Sequence, residues 1–319
     1  DIINSLPPPT GDPLMFMSQN MCDTDKNCDY FTFSEVSICH VRDILRSLKS
    51  KKVKDIYGMS VELLKVITDV IISPLTKLMN MCLRTNVFPN CLKRSLVIPI
   101  YKKGEANDKN NYRPISILPV FSKVLEKIMT IQLTAYFEDK KVFTDNQFGF
   151  RSGRSTTEAL LSFTNNILGA FDRGEVVMAE FLDLSKAFYC VNYTTLLRKL
   201  FFYNVHRNSC KLVTSFLTNR TQRIVANGKS SNDLPLQIGV PQGSIIGPLL
   251  FWIFINDFPA YIGNANVVLF ADDTTITTEG EDIGKVLSCG RETRLRASDW
   301  FNSNTLKVNK KKASRCCSP

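Results

Sequence analysis

Histidine is almost absent from this chain of 319 residues, which carries only His40 and His206. Its ten cysteines, at 22, 28, 39, 82, 91, 190, 210, 289, 316 and 317, form no Cys-x-x-Cys pair, so a zinc centre lacks ligands at metal spacing. No signal peptide opens the sequence, and the cysteines read as reduced thiols of an intracellular protein. Long apolar runs are missing too. The longest, Ile245 to Ile255, is too short to cross a bilayer and contains Gly247 and Pro248, so it predicts a buried helix and no membrane partner. There is no internal repeat and no long helix-only region, which leaves a mixed α and β class. Acid is scarce relative to base: 30 Asp and Glu against 40 Lys and Arg leave a formal charge of +10, which suits a polyanionic partner. Hydrophobic residues at 44% allow a substantial core and more than one subdomain.

What the chain does have is a pair of adjacent acids in apolar surroundings, Leu269-Phe270-Ala271-Asp272-Asp273-Thr274. Val267 to Phe270 and Thr274 to Thr278 read as strands, which makes Ala271 to Asp273 a hairpin tip. An isolated Asp-Asp pair is an ordinary turn. A second apolar run, Val176 to Leu182, ends in Asp183 and turns toward a helix. Paired hard cations for phosphoryl transfer need oxygen ligands converging from different elements, and a strand end opposite a hairpin tip supplies that convergence.

Turn and cap signals organise the rest. The chain opens on Asp1 rather than methionine, and residues 1–30, with Pro7-Pro8-Pro9, read as a linker from a missing upstream region. Ser34 is placed as the cap of a helix bearing Val41, Ile44, Leu45 and Leu48, and Ser73-Pro74 as the start of another. Leu96 to Tyr101 predicts a short strand, and Ser155-Thr156-Thr157-Glu158 a capping box for a helix ending near Gly174. Arg223 to Ala226 followed by Asn227-Gly228 predicts a hairpin strand and its turn.

Six motifs stand in a particular order: Asn111-Tyr112-Arg113-Pro114-Ile115-Ser116, Gln147-Phe148-Gly149-Phe150-Arg151, Phe181-Leu182-Asp183-Leu184-Ser185-Lys186-Ala187-Phe188, Gly239-Val240-Pro241-Gln242-Gly243-Ser244, Phe270-Ala271-Asp272-Asp273, and Trp300-Phe301 with Asn304, Leu306, Asn309 and Lys312. In this order they resemble the reverse transcriptase domain of non-LTR (LINE-type) retrotransposons, most of all the jockey-like elements of insects, from about Val41 to about Lys312. The resemblance implies an α+β, right-hand polymerase: fingers over 31–173 and a palm with a ferredoxin-like sheet and flanking helices over 174–312, the thumb absent. The basic residues between Arg42 and Arg113 then fall in the fingers.

By the same resemblance, Asp183, Asp272 and Asp273 are the catalytic acids. Asp183, Asp272 and the Leu184 carbonyl hold two Mg²⁺ ions, with Mn²⁺ as a substitute. Phe188 excludes a ribose 2′ hydroxyl, Gln242 and Gly243 line the nucleotide pocket, Arg113 and Arg151 contact the triphosphate, and Lys312 donates a proton to pyrophosphate. Each has a plainer use: Phe188 as core, the Gly239 to Ser244 run as a glycine turn, the arginines in surface ion pairs, Lys312 as a solvated side chain. The implied partners are an RNA template, a DNA primer or target and deoxynucleoside triphosphates, in the nucleus and in cytoplasmic ribonucleoprotein.

Some positions depart from the family pattern. Tyr189 stands where Asp is usual, Tyr193 where His is usual, and Lys54-Asp55-Ile56-Tyr57-Gly58 where Pro-Gly-x-Asp-Gly is usual. Residues 313–319 read as an aberrant tail from truncation or a frameshift. These departures leave an alternative open, a catalytically inactive, truncated remnant that at most binds nucleic acid.

Overall fold

The computed structural model describes residues 11–20, 30–309 and 313–318. In chain order they form α1 (Pro13–Asn20), α2 (Ile38–Ser47), α3 (Val61–Val66), α4 (Thr68–Thr85), β1 (Arg94–Tyr101), β2 (Tyr112–Ile117), α5 (Val120–Asp139), α6 (Thr156–Asp172), β3 (Val176–Asp183) and α7 (Tyr193–Phe202). There follow α8 (Arg207–Leu217), β4 (Arg220–Ala226), β5 (Lys229–Ser230), β6 (Leu234–Leu236), α9 (Gly247–Ile255), α10 (Phe258–Ile262), β7 (Asn266–Phe270), β8 (Asp273–Gly280), α11 (Ile283–Ser303) and β9 (Ser314–Cys317). The mixed α and β content expected from the sequence is present. Among the described residues no helix is long and apolar enough to cross a membrane.

Two compact units emerge, both discontinuous in sequence. Of the described residues, the first gathers 11–20, 141–199, 251–309 and 313–318, and the second 30–140 and 200–250.

The first unit is built on an antiparallel sheet in the order β7-β8-β3-β9. Its strands are short runs of β-branched and aromatic residues, which suit a pleated, half-buried surface. Strand periodicity sorts their side chains. Phe181, Thr275 and Val268 share one row, and Asp183, Asp273 and Phe270 the next row on that face. Helix α6 covers this face: Phe163 meets Phe181 edge-on at 5.7 Å, and Phe148, Ala159 and Val268 form a core cluster with Phe163 and Phe270 packed against it. Ser155 caps α6 by accepting the Glu158 N–H at 3.2 Å, as its sequence predicts. Helix α11 lies on the opposite face, against Met178 and Thr278, and Arg294 pairs there with the buried Glu180.

Residues 314–317, set apart in the sequence reading as an aberrant tail, form β9 on the edge of β3, and Arg315 reaches Glu180 at 3.0 Å. Residues 13–20, read as linker, are helical. Lys199 is fully buried and donates to Asp257 Oδ1 at 2.6 Å, while Trp300 Nε1 donates to Asp257 Oδ2 at 3.0 Å. This pairing explains why a lysine survives in an otherwise apolar core.

In the second unit β2-β1-β4-β5 forms a mixed sheet, with β1 antiparallel to β2 and parallel to β4, and β6 adds to β4. Asn227 and Gly228, both at positive φ, make the hairpin turn between β4 and β5. Helices α2, α4 and α5 bury Val41, Ile44, Leu45, Leu75, Met79, Val124, Leu125 and Ile128. Two helix starts differ from the sequence reading. Ser37, not Ser34, caps α2, because Ser34 is drawn off by Gln132, which accepts its N–H and donates to its carbonyl, each at 2.9 Å. Helix α4 begins at Thr68 and runs through Pro74, since burying Ile72 and Leu75 on the same helix outweighs the cost of one interrupted turn.

Candidate active site

Strands β7 and β8 are joined by a two-residue turn, Ala271 and Asp272, closed by the pairing of Phe270 with Asp273. Ala271 sits at φ 58°, the left-handed region that a side chain resists, at the first loop position, where hairpins of this kind usually carry glycine. What holds it there is Gln147, buried to 1% exposure, whose Oε1 accepts the Ala271 N–H at 3.1 Å and the Gly149 N–H at 2.7 Å. The segment around Gln147 runs parallel to β7: Phe148 N–H donates to Leu269 O and Leu269 N–H to Asn146 O, both at 2.8 Å. The approach is so close that a Cβ on Gly149 would lie 2.3 Å from the Ala271 nitrogen, so only glycine fits. The Gln147 to Arg151 motif is thus a brace for the acidic turn.

Asp183 ends β3 directly opposite Asp273. Opposed residues of an antiparallel pair have Cβ atoms about 5 Å apart on one face, and like charges there are destabilising. Asp272 is half-buried in the adjoining turn and Asp273 is exposed. Asn309 fixes Asp183 twice: its N–H donates to the Asp183 carbonyl at 2.8 Å and its Nδ2 to Asp183 Oδ2 at 2.9 Å. Ser185 N–H donates to Lys307 O at 2.7 Å, so Leu184 and Val308 face each other between those bonds and the Leu184 carbonyl takes no part in them.

The acids are a hard-oxygen donor set, which suits Mg²⁺ or Mn²⁺. Among the described residues no three His, Cys, Asp or Glu side chains form a ready cage. Mg²⁺ is ordinarily held by one or two carboxylates together with substrate phosphates, so the residues present fit that mode of binding.

Phe188 is half-buried, stacked on Phe251 at 4.8 Å and edge-on to Phe150 at 6.0 Å. Arg151, its side chain only 12% exposed, donates to Thr144 O at 3.2 Å, pairs with Asp145 at 3.2 Å and lies 5.6 Å from the Trp252 ring centre. Its guanidinium is therefore engaged within its own loop. Burial pushes the Tyr189 phenol up to about 12, so it stays neutral where the family pattern has an acid. Lys312 lies outside the described residues.

Arg113, Gln242 and Gly243 belong to the second unit. Arg113 is exposed on β2, and its guanidinium makes no ion pair among the described residues. The Gln242 carbonyl accepts the Ser116 N–H at 2.7 Å, and Gly243, at φ 123°, passes so near that a Cβ would lie 2.4 Å from the Ser116 oxygen. The Asn111 to Ser116 and Gly239 to Ser244 motifs therefore meet. Glu126, fully buried on α5, secures the far side of that loop: one carboxylate oxygen accepts the Ile245 N–H at 2.7 Å and the other the Ser122 hydroxyl at 2.6 Å. Burial raises its pKa, and the nearby Arg220 opposes that shift.

Sequence reasoning assigned no role to Gln147, Asn309 or Glu126. The first two sat inside quoted motifs, and Glu126, standing beside Lys127 in the run Val124 to Met129, carries no local signal of its role.

The family model for reverse transcriptase (RNA-dependent DNA polymerase) matches residues 100–319. The RNA-directed DNA polymerase from mobile element jockey of Drosophila melanogaster is 28% identical over 292 residues, covering 88% of this chain and 31% of the relative. The probable RNA-directed DNA polymerase from transposon BS of the same species is 30% identical, covering 88% and 32%, and that from transposon X-element is 29% identical, covering 76% and 27%. The chain spans about a third of the length of these curated relatives.

Proposed function

The chain belongs to the reverse transcriptase (RNA-dependent DNA polymerase) family, and we propose that it forms the fingers and palm of a non-LTR retrotransposon polymerase, which adds deoxynucleotides to a primer 3′ end on an RNA template. The observation that carries this reading is the opposition of Asp183 and Asp273 beside a strained turn that presents Asp272, an arrangement costly for a purely structural sheet.

In this reading Asp183, Asp272 and the Leu184 carbonyl hold two Mg²⁺ ions, with Asp273 beside them. The bound ions supply charge neutralisation and a more acidic primer 3′ hydroxyl. The chain's own part is alignment, on which in-line displacement at phosphorus depends. Asn309 keeps Asp183 Oδ2 occupied as an acceptor, which orients the carboxylate that would hold a metal ion. Gln147 sets the backbone from which Asp272 projects. Phe188, held by Phe251 and Phe150, is stiff enough to reject a 2′ hydroxyl. Arg113 is available to fork onto phosphate oxygens, and the loop of Gln242 and Gly243 is fixed firmly enough to line a base pair. The engagement of Arg151 within its loop favours a bracing use over a triphosphate contact.

The test is primer extension by the purified chain on an RNA template with Mg²⁺ or Mn²⁺. Extension that Asp183→Asn or Asp272→Asn abolishes while the melting temperature holds is the expected result. RNA binding without any extension by the parent chain gives the reading to the inactive remnant.

A further inference from the structure

The second unit contains a cavity of about 380 Å³ where the end of α4, the turn before β1 and the end of α8 meet. Its lining includes Phe88, Asn90, Lys93, Lys211, Ser215 and Asn219, and no Asp or Glu among the described residues. Lys93 is the unusual member. It is 3% exposed, yet its ammonium makes no hydrogen bond or ion pair among the described residues. Its stem is enclosed by the cavity wall, while no acceptor among the described residues claims its ammonium.

A second cation lies close by. Arg220, 1% exposed, lies near enough to act on Lys93, whose pKa is lowered first by burial and then by that neighbouring charge. Lys93 is not used to close a helix end. At the end of α8 the Thr214 carbonyl accepts the Thr218 N–H at 2.9 Å and the Phe216 carbonyl accepts Arg220 Nη1 at 2.8 Å. At the end of α4 the Cys82 carbonyl accepts the Val87 N–H at 3.2 Å. That leaves the Lys93 amine for an anion that enters the cavity, whose charge favours the protonated form.

We propose that this cavity binds a phosphate group, with Lys93 as its buried counter-ion and Lys211 at its rim, and that its occupant is a phosphodiester of a bound nucleic-acid strand. The choice of a strand over free phosphate rests on the polymerase reading, whereas the phosphate chemistry rests on the cavity alone. The volume exceeds what one phosphate fills and admits an adjoining sugar.

The test is binding of an RNA oligomer lacking a 5′ triphosphate, without divalent ions, across a salt series, for the parent chain, Lys93→Met, Lys93→Arg and Lys211→Gln. Lys93→Met is expected to weaken binding about fivefold at any sequence and to reduce the slope of log K against log salt by about one. Lys93→Arg should keep most of the affinity, and Lys211→Gln should shift it the same way by less. In a second arm, inorganic phosphate is titrated while side-chain NMR signals of the cavity are followed. Phosphate that perturbs those signals in the parent but not in Lys93→Met, with RNA binding unchanged by the substitution, supports the phosphate site and overturns the strand as occupant. A cooperatively folded Lys93→Met chain with parental RNA affinity and salt slope, together with signals blind to phosphate, overturns the whole proposal. If Lys93→Met does not fold, Lys211→Gln and the phosphate arm decide. Failure of the polymerase reading is seen separately, as a parent chain that shows the Lys93 effect but extends no primer.

Discussion

Each unit fixes a short loop with one buried side chain that accepts backbone N–H groups, but the two units use different chemistry. In the first, Gln147 accepts from Gly149 and Ala271; in the second, Glu126 accepts from Ile245. The neutral amide stands next to a turn that already carries Asp272 and Asp273, and another negative charge there would raise the pKa of those acids. The carboxylate stands where Arg220 is near enough to offset its charge. The same geometric task is done by an amide where acids crowd and by an acid where a buried cation is at hand.

Breaking the charged anchor should have the largest effect. Glu126→Leu strands the Ser122 hydroxyl and the Ile245 N–H in the core and should cost about 2–5 kcal/mol in denaturant unfolding, whereas Glu126→Gln keeps an acceptor and should cost less. The two also differ in pH response. Because Glu126 is raised above its usual 4.5, the folded chain holds that proton more tightly than the unfolded one; unfolding free energy therefore falls as pH climbs above 4.5, and Glu126→Gln should remove this fall.

Next comes the neutral anchor. Gln147→Leu releases the strained turn and should lower kcat for primer extension about 10–100-fold with little change in template KM. Gln147→Glu should hold the turn but shift half-saturation by Mg²⁺ to lower concentration, because the added charge draws cations. Equal kinetics for the leucine variant and the parent would remove Gln147 from the site. Asn309→Leu should raise the Mg²⁺ concentration needed for half-maximal extension about tenfold, by freeing the Asp183 carboxylate to turn.

The mildest test compares how tightly the regions close. Burial pushes the thiols of Cys190 in the first unit and of Cys82 and Cys210 in the second up to about 11. All three should alkylate about a hundredfold more slowly than the exposed Cys91 at about pH 8, with rates rising steeply at higher pH. Cys190 reacting much faster than Cys82 would mean that the end of the first sheet opens more readily than the helical core of the second unit.

Much of this was readable along the chain because it is written in local terms. Val176 to Asp183 and Val267 to Phe270 are strands because β-branched and aromatic residues fill them, and Ser155 caps α6 because its hydroxyl needs only a neighbour three residues on. The misplaced starts of α2 and α4 have non-local causes: Ser34 is claimed by Gln132, and Pro74 is overruled by burial. The strand at 314–317 was equally invisible, since Ser-Arg-Cys-Cys has no strong strand pattern and is organised by the free edge of β3 and by Glu180.

The order and spacing of the motifs, by themselves, determined the family, because each motif is a short run whose chemistry is carried by adjacent residues. Only the tertiary structure decided that Gln147 braces Ala271, that Asn309 orients Asp183, and that Ser116 meets Gln242. Those contacts join residues more than a hundred positions apart, and a hydrogen bond, which works only across about 3 Å, is decided by where folding brings two atoms and not by their places in the chain.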